Sequence, residues 1–138
     1  MLLIRRGVLI LVGLVLLGCT SNQLQGRNSK LPSGRTVRIM GIVPMHFSSG
    51  PPALMLQYQT DLKIADKTEL RKEVDDIWTV FRLDAEKGNF SSAIISANEV
   101  SSGGFVKHSN SYNFVFEKRT DGTWKCLDDA KSESKQPV

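Results

Sequence analysis

Apolar and polar positions change rhythm several times along this 138-residue chain, and each rhythm predicts an element. Residues 8–17, VLILVGLVLL, are an aliphatic run that follows Arg5 and Arg6. Residues 20–35, TSNQLQGRNSKLPSGR, are polar, have no period and include Gly26, Pro32 and Gly34. That composition predicts a flexible tether of root-mean-square span ~22 Å. Residues 35–45 alternate in part through Val37, Ile39 and the Ile42–Val43 pair, which predicts a strand with Gly41 at a bulge and Pro44 at its end. Residues 53–62 alternate more cleanly. Leu54, Leu56, Tyr58, Thr60 and Leu62 share one face, and Met55, Gln57, Gln59 and Asp61 the other.

The strongest period lies in residues 66–87. Leu70, Val74, Ile77, Trp78, Phe81 and Ala85 recur at three- and four-residue steps and form one apolar stripe on a helix about 33 Å long. Asp66 is the expected N-cap, Glu69 completes a near capping box, and Gly88 is the expected left-handed stop. On the other face, Arg71 with Asp75 and Lys72 with Asp76 are one turn apart and predict ion pairs. Residues 91–100 and 112–118 read as two further strands. Asp121-Gly122 signals a hairpin turn, and residues 123–127 return as a last strand with Trp124 and Cys126 on one face.

The expected fold is therefore α+β: one long helix packed on a mostly antiparallel sheet of about five strands, in the order ββαβββ. The domain is expected at 36–128, after the segment 19–35 and before a disordered tail at 129–138. This order resembles cystatin-like and nuclear-transport-factor-like folds, but neither family's motifs are present and no function follows from them.

Charge changes the picture less than its total suggests. The chain has 18 basic and 14 acidic residues and a net charge of +4. Without Arg5 and Arg6 the balance is 16 − 14 = +2. Such a domain has no strong overall field for polyanions, so nucleic acid is not expected as a partner.

The aliphatic run is too short for a helix that must cross ~30 Å of hydrocarbon with roughly 20 residues. Its length and basic flank fit a signal peptide. It ends in Leu16-Leu17-Gly18-Cys19, which resembles the lipobox of bacterial lipoproteins. The resemblance implies cleavage between Gly18 and Cys19, removal of residues 1–18, diacylglyceryl transfer to the Cys19 thiol and acylation of the new amino group. Each buried methylene contributes ~0.8 kcal/mol, so two or three acyl chains hold effectively permanently. Thr20 in place of aspartate implies, by resemblance to sorting in Gram-negative cells, the outer membrane facing the periplasm; in a Gram-positive host the plasma membrane would be the only option.

Candidate chemistry is sparse. His46 and His108 fall in or beside loops with no ligand partner at metal spacing, so no metal and no cofactor are expected. Cys126 is the one thiol left once Cys19 is acylated, and it reads as a small core residue beside Trp124 or as a cysteine paired between chains. Asp75 and Asp76 diverge by about 100° on a helix and cannot act as a paired acid and base. Neither a catalytic residue nor a nucleotide motif is expected. Phe105 and Val106, set among small polar residues in the loop SSGGFVKHSNS, are the candidate partner contact.

The function expected from these features is an envelope-anchored, non-enzymatic lipoprotein that contacts membrane lipid through Cys19 and binds another envelope protein. The alternative is a periplasmic small-ligand binder with a pocket between helix and sheet, beside Trp78 and Tyr58. A hydrolase would need His46 or His108 near Cys126 or an aspartate.

Overall fold

The computed structural model describes residues 26–101 and 110–128. The signal segment, Cys19, the loop pair Phe105 and Val106, His108 and the tail from 129 lie outside them. The elements are β1 (Arg27–Lys30), β2 (Thr36–Met45), β3 (Ala53–Thr60), α1 (Lys67–Lys87), β4 (Ser92–Glu99), β5 (Ser111–Lys118) and β6 (Trp124–Cys126). The six strands form a single sheet in sequence order. Neighbours are antiparallel except β3 and β4, which run parallel because α1 carries the chain back across the sheet. One helix on a mixed, mostly antiparallel sheet is an α+β fold. Among the described residues, no helix is long and apolar enough to cross a membrane.

The order is βββαβββ, one strand more than the periodicity predicts. The extra strand, β1, falls inside the segment expected to be a tether. Residues 27–35 are strand and turn, and the domain begins before residue 36. The turn carries the reason. Leu31 N–H donates to Arg35 O at 2.7 Å, Gly34 N–H donates to Leu31 O at 2.8 Å, and Gly34 has φ +87°. Pro-Ser-Gly here is turn chemistry that needs a left-handed glycine. The β5–β6 turn repeats the scheme, with Arg119 N–H to Thr123 O at 2.7 Å, Gly122 N–H to Arg119 O at 2.9 Å and Gly122 at φ +86°. Leu31 is buried and ties the first hairpin to the core.

The core lies between helix and sheet. Leu70, Val74, Ile77, Phe81 and Ala85 of α1 meet Val37, Ile39, Leu54, Leu56, Tyr58, Ile95, Phe114 and Phe116 of the sheet. Full burial of each large aliphatic or aromatic side chain contributes about 1.5–3 kcal/mol. The register of β2 and β3 shifts between Ile39 and Gly41: Ile39 opposes Tyr58, Gly41 opposes Gln57, and Met40 is the extra residue. This bulge is why Val37, Ile39 and then Ile42 all serve the helix side, despite the broken alternation.

Helix ends follow the sequence with two corrections. Asp66 accepts from Glu69 N–H at 3.3 Å, but the Glu69 carboxylate turns outward to Lys72 Nζ at 2.6 Å, so the box is half made. Gly88 has φ −81°, and the left-handed residue is Asn89 at φ 57°. Gly88 serves another need: a Cβ there would stand 2.6 Å from the Phe90 ring.

Candidate functional site

The first hairpin and the first turns of α1 build the most polar corner of the domain. Arg35 follows the glycine turn and meets Glu73, a helix residue on the border of the apolar stripe. The Arg35 Nη1 group donates to Glu73 Oε2 at 2.8 Å. The two side chains differ in setting, with Arg35 46% exposed and Glu73 only 4%. The other Glu73 oxygen, Oε1, and the hydroxyl of the fully buried Tyr58 are both shielded from solvent without a hydrogen-bond partner. Burial first, then the neighbouring Glu73 carboxylate, push the Tyr58 phenol far above its ordinary pKa of 10.0, and Arg35 opposes that shift. A cleft of about 380 Å³ opens beside these groups, lined by Asn28, Arg35, Arg38, Thr60, Asp61 and Glu73 among others. A guanidinium carries five N–H donors, so Arg35 keeps capacity for a carboxylate or phosphate after serving Glu73.

The same hairpin reaches further along the helix. Ser33 donates to Asp76 Oδ2 from its backbone at 3.3 Å and from its hydroxyl. This corrects the expected Lys72–Asp76 pair: Asp76 faces the hairpin, and Lys72 pairs with Glu69 instead. The Arg71–Asp75 pair forms as expected, at 2.8 Å.

A second corner lies across the helix. Trp78 stacks on Phe116, with ring centroids 4.1 Å apart and planes 9° from parallel. Trp124 meets Trp78 edge-on at 5.1 Å, and its indole N–H donates to Glu86 Oε1 at 3.1 Å. These rings, Arg71, Arg119, Lys125 and Cys126 line a surface cleft of about 410 Å³. Cys126 is 3% exposed and packs in the core as a small residue.

Neither of these two clefts is lined by both Trp78 and Tyr58, and a smaller groove of about 90 Å³ opens between helix and sheet, lined by Leu31, Ile39, Leu56, Ile77, Phe81 and Asp84 among others. Trp78 borders one surface cleft, and Tyr58 lies beneath the other corner. His46 is exposed after β2, four strand spacings, or about 19 Å, from Cys126 on β6. Among the described residues no group of three or more His, Cys, Asp or Glu could hold a metal ion. Glu73 is the residue of this corner that spacing does not single out, since a lone carboxylate bordering an apolar stripe looks like a solvated position.

The open face of the sheet carries a further feature. Val43, Met55, Ile94 and Val115 are direct register partners across β2, β3, β4 and β5. All four are half-buried, and they form one apolar row on the face away from α1. The adjoining row, Gln57, Ser96 and Asn113, is polar. Compared with family profiles, curated proteins and solved structures, this chain gives no match.

Proposed function

We propose that this chain is a lipid-anchored protein of the bacterial envelope, held in the outer membrane by acylated Cys19, whose α+β domain binds another envelope protein and performs no chemistry of its own. The apolar row Val43–Met55–Ile94–Val115 carries the binding half of this reading. It offers a partner four aligned side chains with the polar row Gln57, Ser96 and Asn113 along one side, as at the edge between an interface centre and its rim. The lipobox supports the anchor. In a Gram-negative host, mass spectrometry of the product is expected to show a diacylglyceryl group on Cys19, and Cys19→Ala to leave the protein unprocessed. A photo-crosslinking residue at Met55 is expected to give one discrete adduct that Ile94→Asp removes while circular dichroism stays unchanged. Adducts that form equally well from exposed Lys87 would remove the case for this face.

A second reading is small-ligand binding at the Arg35–Glu73 corner. It is favoured by the adjacent buried Tyr58 hydroxyl and Glu73 carboxylate beside a cleft that Arg35 and Arg38 line together with Asp61. Its ligand would be a small carboxylate or phosphate. Resonances of Arg35 and Asn28 that do not move when acetate or inorganic phosphate is titrated would overturn it.

A further inference from the structure

We infer that the β1–β2 edge of the domain rests on anionic phospholipid headgroups. The inference builds on the reading of Cys19 as the lipid anchor and adds an orientation to it.

The first support is length. Strand β1 begins at Arg27, so the connection from Cys19 to Gly26 is seven peptide steps rather than the sixteen residues of a full tether. Fully extended, seven steps reach about 25 Å at most. Helix α1, with 21 residues, is about 32 Å long. The leash is shorter than the domain it holds, so the corner around Gly26 stays near the bilayer.

The second support is the chemistry at that entry point. The Arg38 side chain lies over Gly26: a Cβ on that glycine would be 2.6 Å from Arg38 Nε and 3.2 Å from Arg38 Cγ. Arg38 is also the register partner of Asn28 on β1 and of Gln59 on β3. Lys30, two residues beyond Asn28, shares its face of the edge strand.

The third is charge segregation. From Thr20 to Thr60 the chain has no aspartate or glutamate, while Arg27, Lys30, Arg35 and Arg38 are cationic. Strands β1, β2 and β3 therefore carry no carboxylate. The nearest acidic groups come from elsewhere, on the helix side or beyond β3: Glu73 is taken by Arg35, Asp76 by Ser33 of the turn, Asp84 borders the groove beside Arg27, and Asp61 borders the Arg35 cleft. On the open face Arg38 and Lys30 look over uncharged Gln57, Gln59, Ser96 and Asn98. A near-neutral domain thus has one cationic edge, at the place where the anchor enters. Attraction between exposed charges fades beyond about 8 Å at physiological salt. A leash of at most about 25 Å lets the edge come within that range and raises the effective concentration of headgroups.

The test couples residues 19–138 through the Cys19 thiol to a maleimide phospholipid in vesicles, with Cys126 shielded by burial. Acylation of lysines by an amine-reactive ester is then followed by mass spectrometry. On vesicles with 30% phosphatidylglycerol, Lys30 is expected to react about fivefold more slowly than on pure phosphatidylcholine, with the difference lost in 0.5 M salt. Lys118, exposed on β5 and four strands from β1, is expected to react alike on both. The pair Arg27→Gln and Arg38→Gln is expected to abolish Lys30 protection with circular dichroism unchanged. Equal rates for Lys30 on the two lipids would overturn the inference, and so would protection that requires envelope extract instead of pure lipid. Because the anchor is attached chemically, this result is independent of whether Cys19 is acylated in cells, which mass spectrometry of the native product decides.

Discussion

Arg35 and Glu73 stand 38 residues apart in the chain and 2.8 Å apart in space, and this contact fastens the first hairpin to the helix. The pair is lopsided, because solvent reaches the guanidinium but hardly reaches the carboxylate. Removing the arginine would strand a buried charge, whereas removing the carboxylate leaves a guanidinium that water can serve. Loss of one partner of a fully buried pair costs ~3–5 kcal/mol. With one partner half exposed, Arg35→Ala is expected to cost about 1–2 kcal/mol and Glu73→Leu less than about 1 kcal/mol. Urea unfolding of both variants checks the order, and a costlier Glu73→Leu would contradict this account.

Tyr58 is expected to set the alkaline limit of the fold. Its folded pKa lies above the ordinary 10.0, so its contribution is complete below pH 10 and is lost as pH rises towards the folded value. In that window stability is expected to fall by up to about 1.4 kcal/mol per pH unit. The chain has two tyrosines, and Tyr112 is also raised, by burial first and then by Asp128. Tyrosinate absorbance is therefore expected to rise together with loss of the folded circular dichroism. Tyr58→Phe is expected to move alkaline unfolding to higher pH. Full ionisation of both phenols in a folded domain would exclude the buried setting.

Much of this architecture can be read in the chain because its elements are locally consistent. The helix stripe, the cleanly alternating β3 and the Asp121-Gly122 turn each follow from spacing alone. Strand β1 did not, because its four residues, RNSK, carry no apolar alternation. They are placed by pairing with β2 and by the burial of Leu31 beyond them. Pro32-Ser33-Gly34 was the available signal, equivalent to the later Asp-Gly turn but embedded in linker-like composition. The polar corner was less legible still. Glu73 is read correctly only once Arg35 and Tyr58 converge on it from a turn and a strand distant in sequence.

The end of α1 offers a local test. Asn89, at φ 57°, occupies the left-handed position that sequence assigns to Gly88. For a residue with a Cβ, other than asparagine or aspartate, that conformation costs roughly 1 kcal/mol. Asn89→Ala is thus expected to destabilise by about that amount and Asn89→Gly to be neutral or stabilising. Gly88→Ala is expected to be worse than Asn89→Ala, since its Cβ would collide with the Phe90 ring. Thermal melts rank the three. A harmless Gly88→Ala would show that Phe90 can move aside.

The bulge in β2 makes the most discriminating prediction, because it concerns register rather than any single contact. Met40 is the residue without an opposite number on β3. Deleting it leaves Val37, Ile39, Ile42 and Pro44 in strict alternation, so every helix-facing side chain keeps its face. Only local twist and the Met40 packing near Gly26 are lost. Deleting Arg38 instead moves one side of the strand by one step. Either Val37 or Ile39 must then leave the core, and pairing with β1 slips as well. The Met40 deletion is expected to remain cooperatively folded with a melting temperature lowered by roughly 5–10 °C, about 1–2 kcal/mol for a domain of this size. The Arg38 deletion is expected to lose cooperative unfolding altogether. Circular dichroism melts of the two proteins decide the matter, and comparable melts would mean that β2 does not hold the register that places Ile39 against Tyr58.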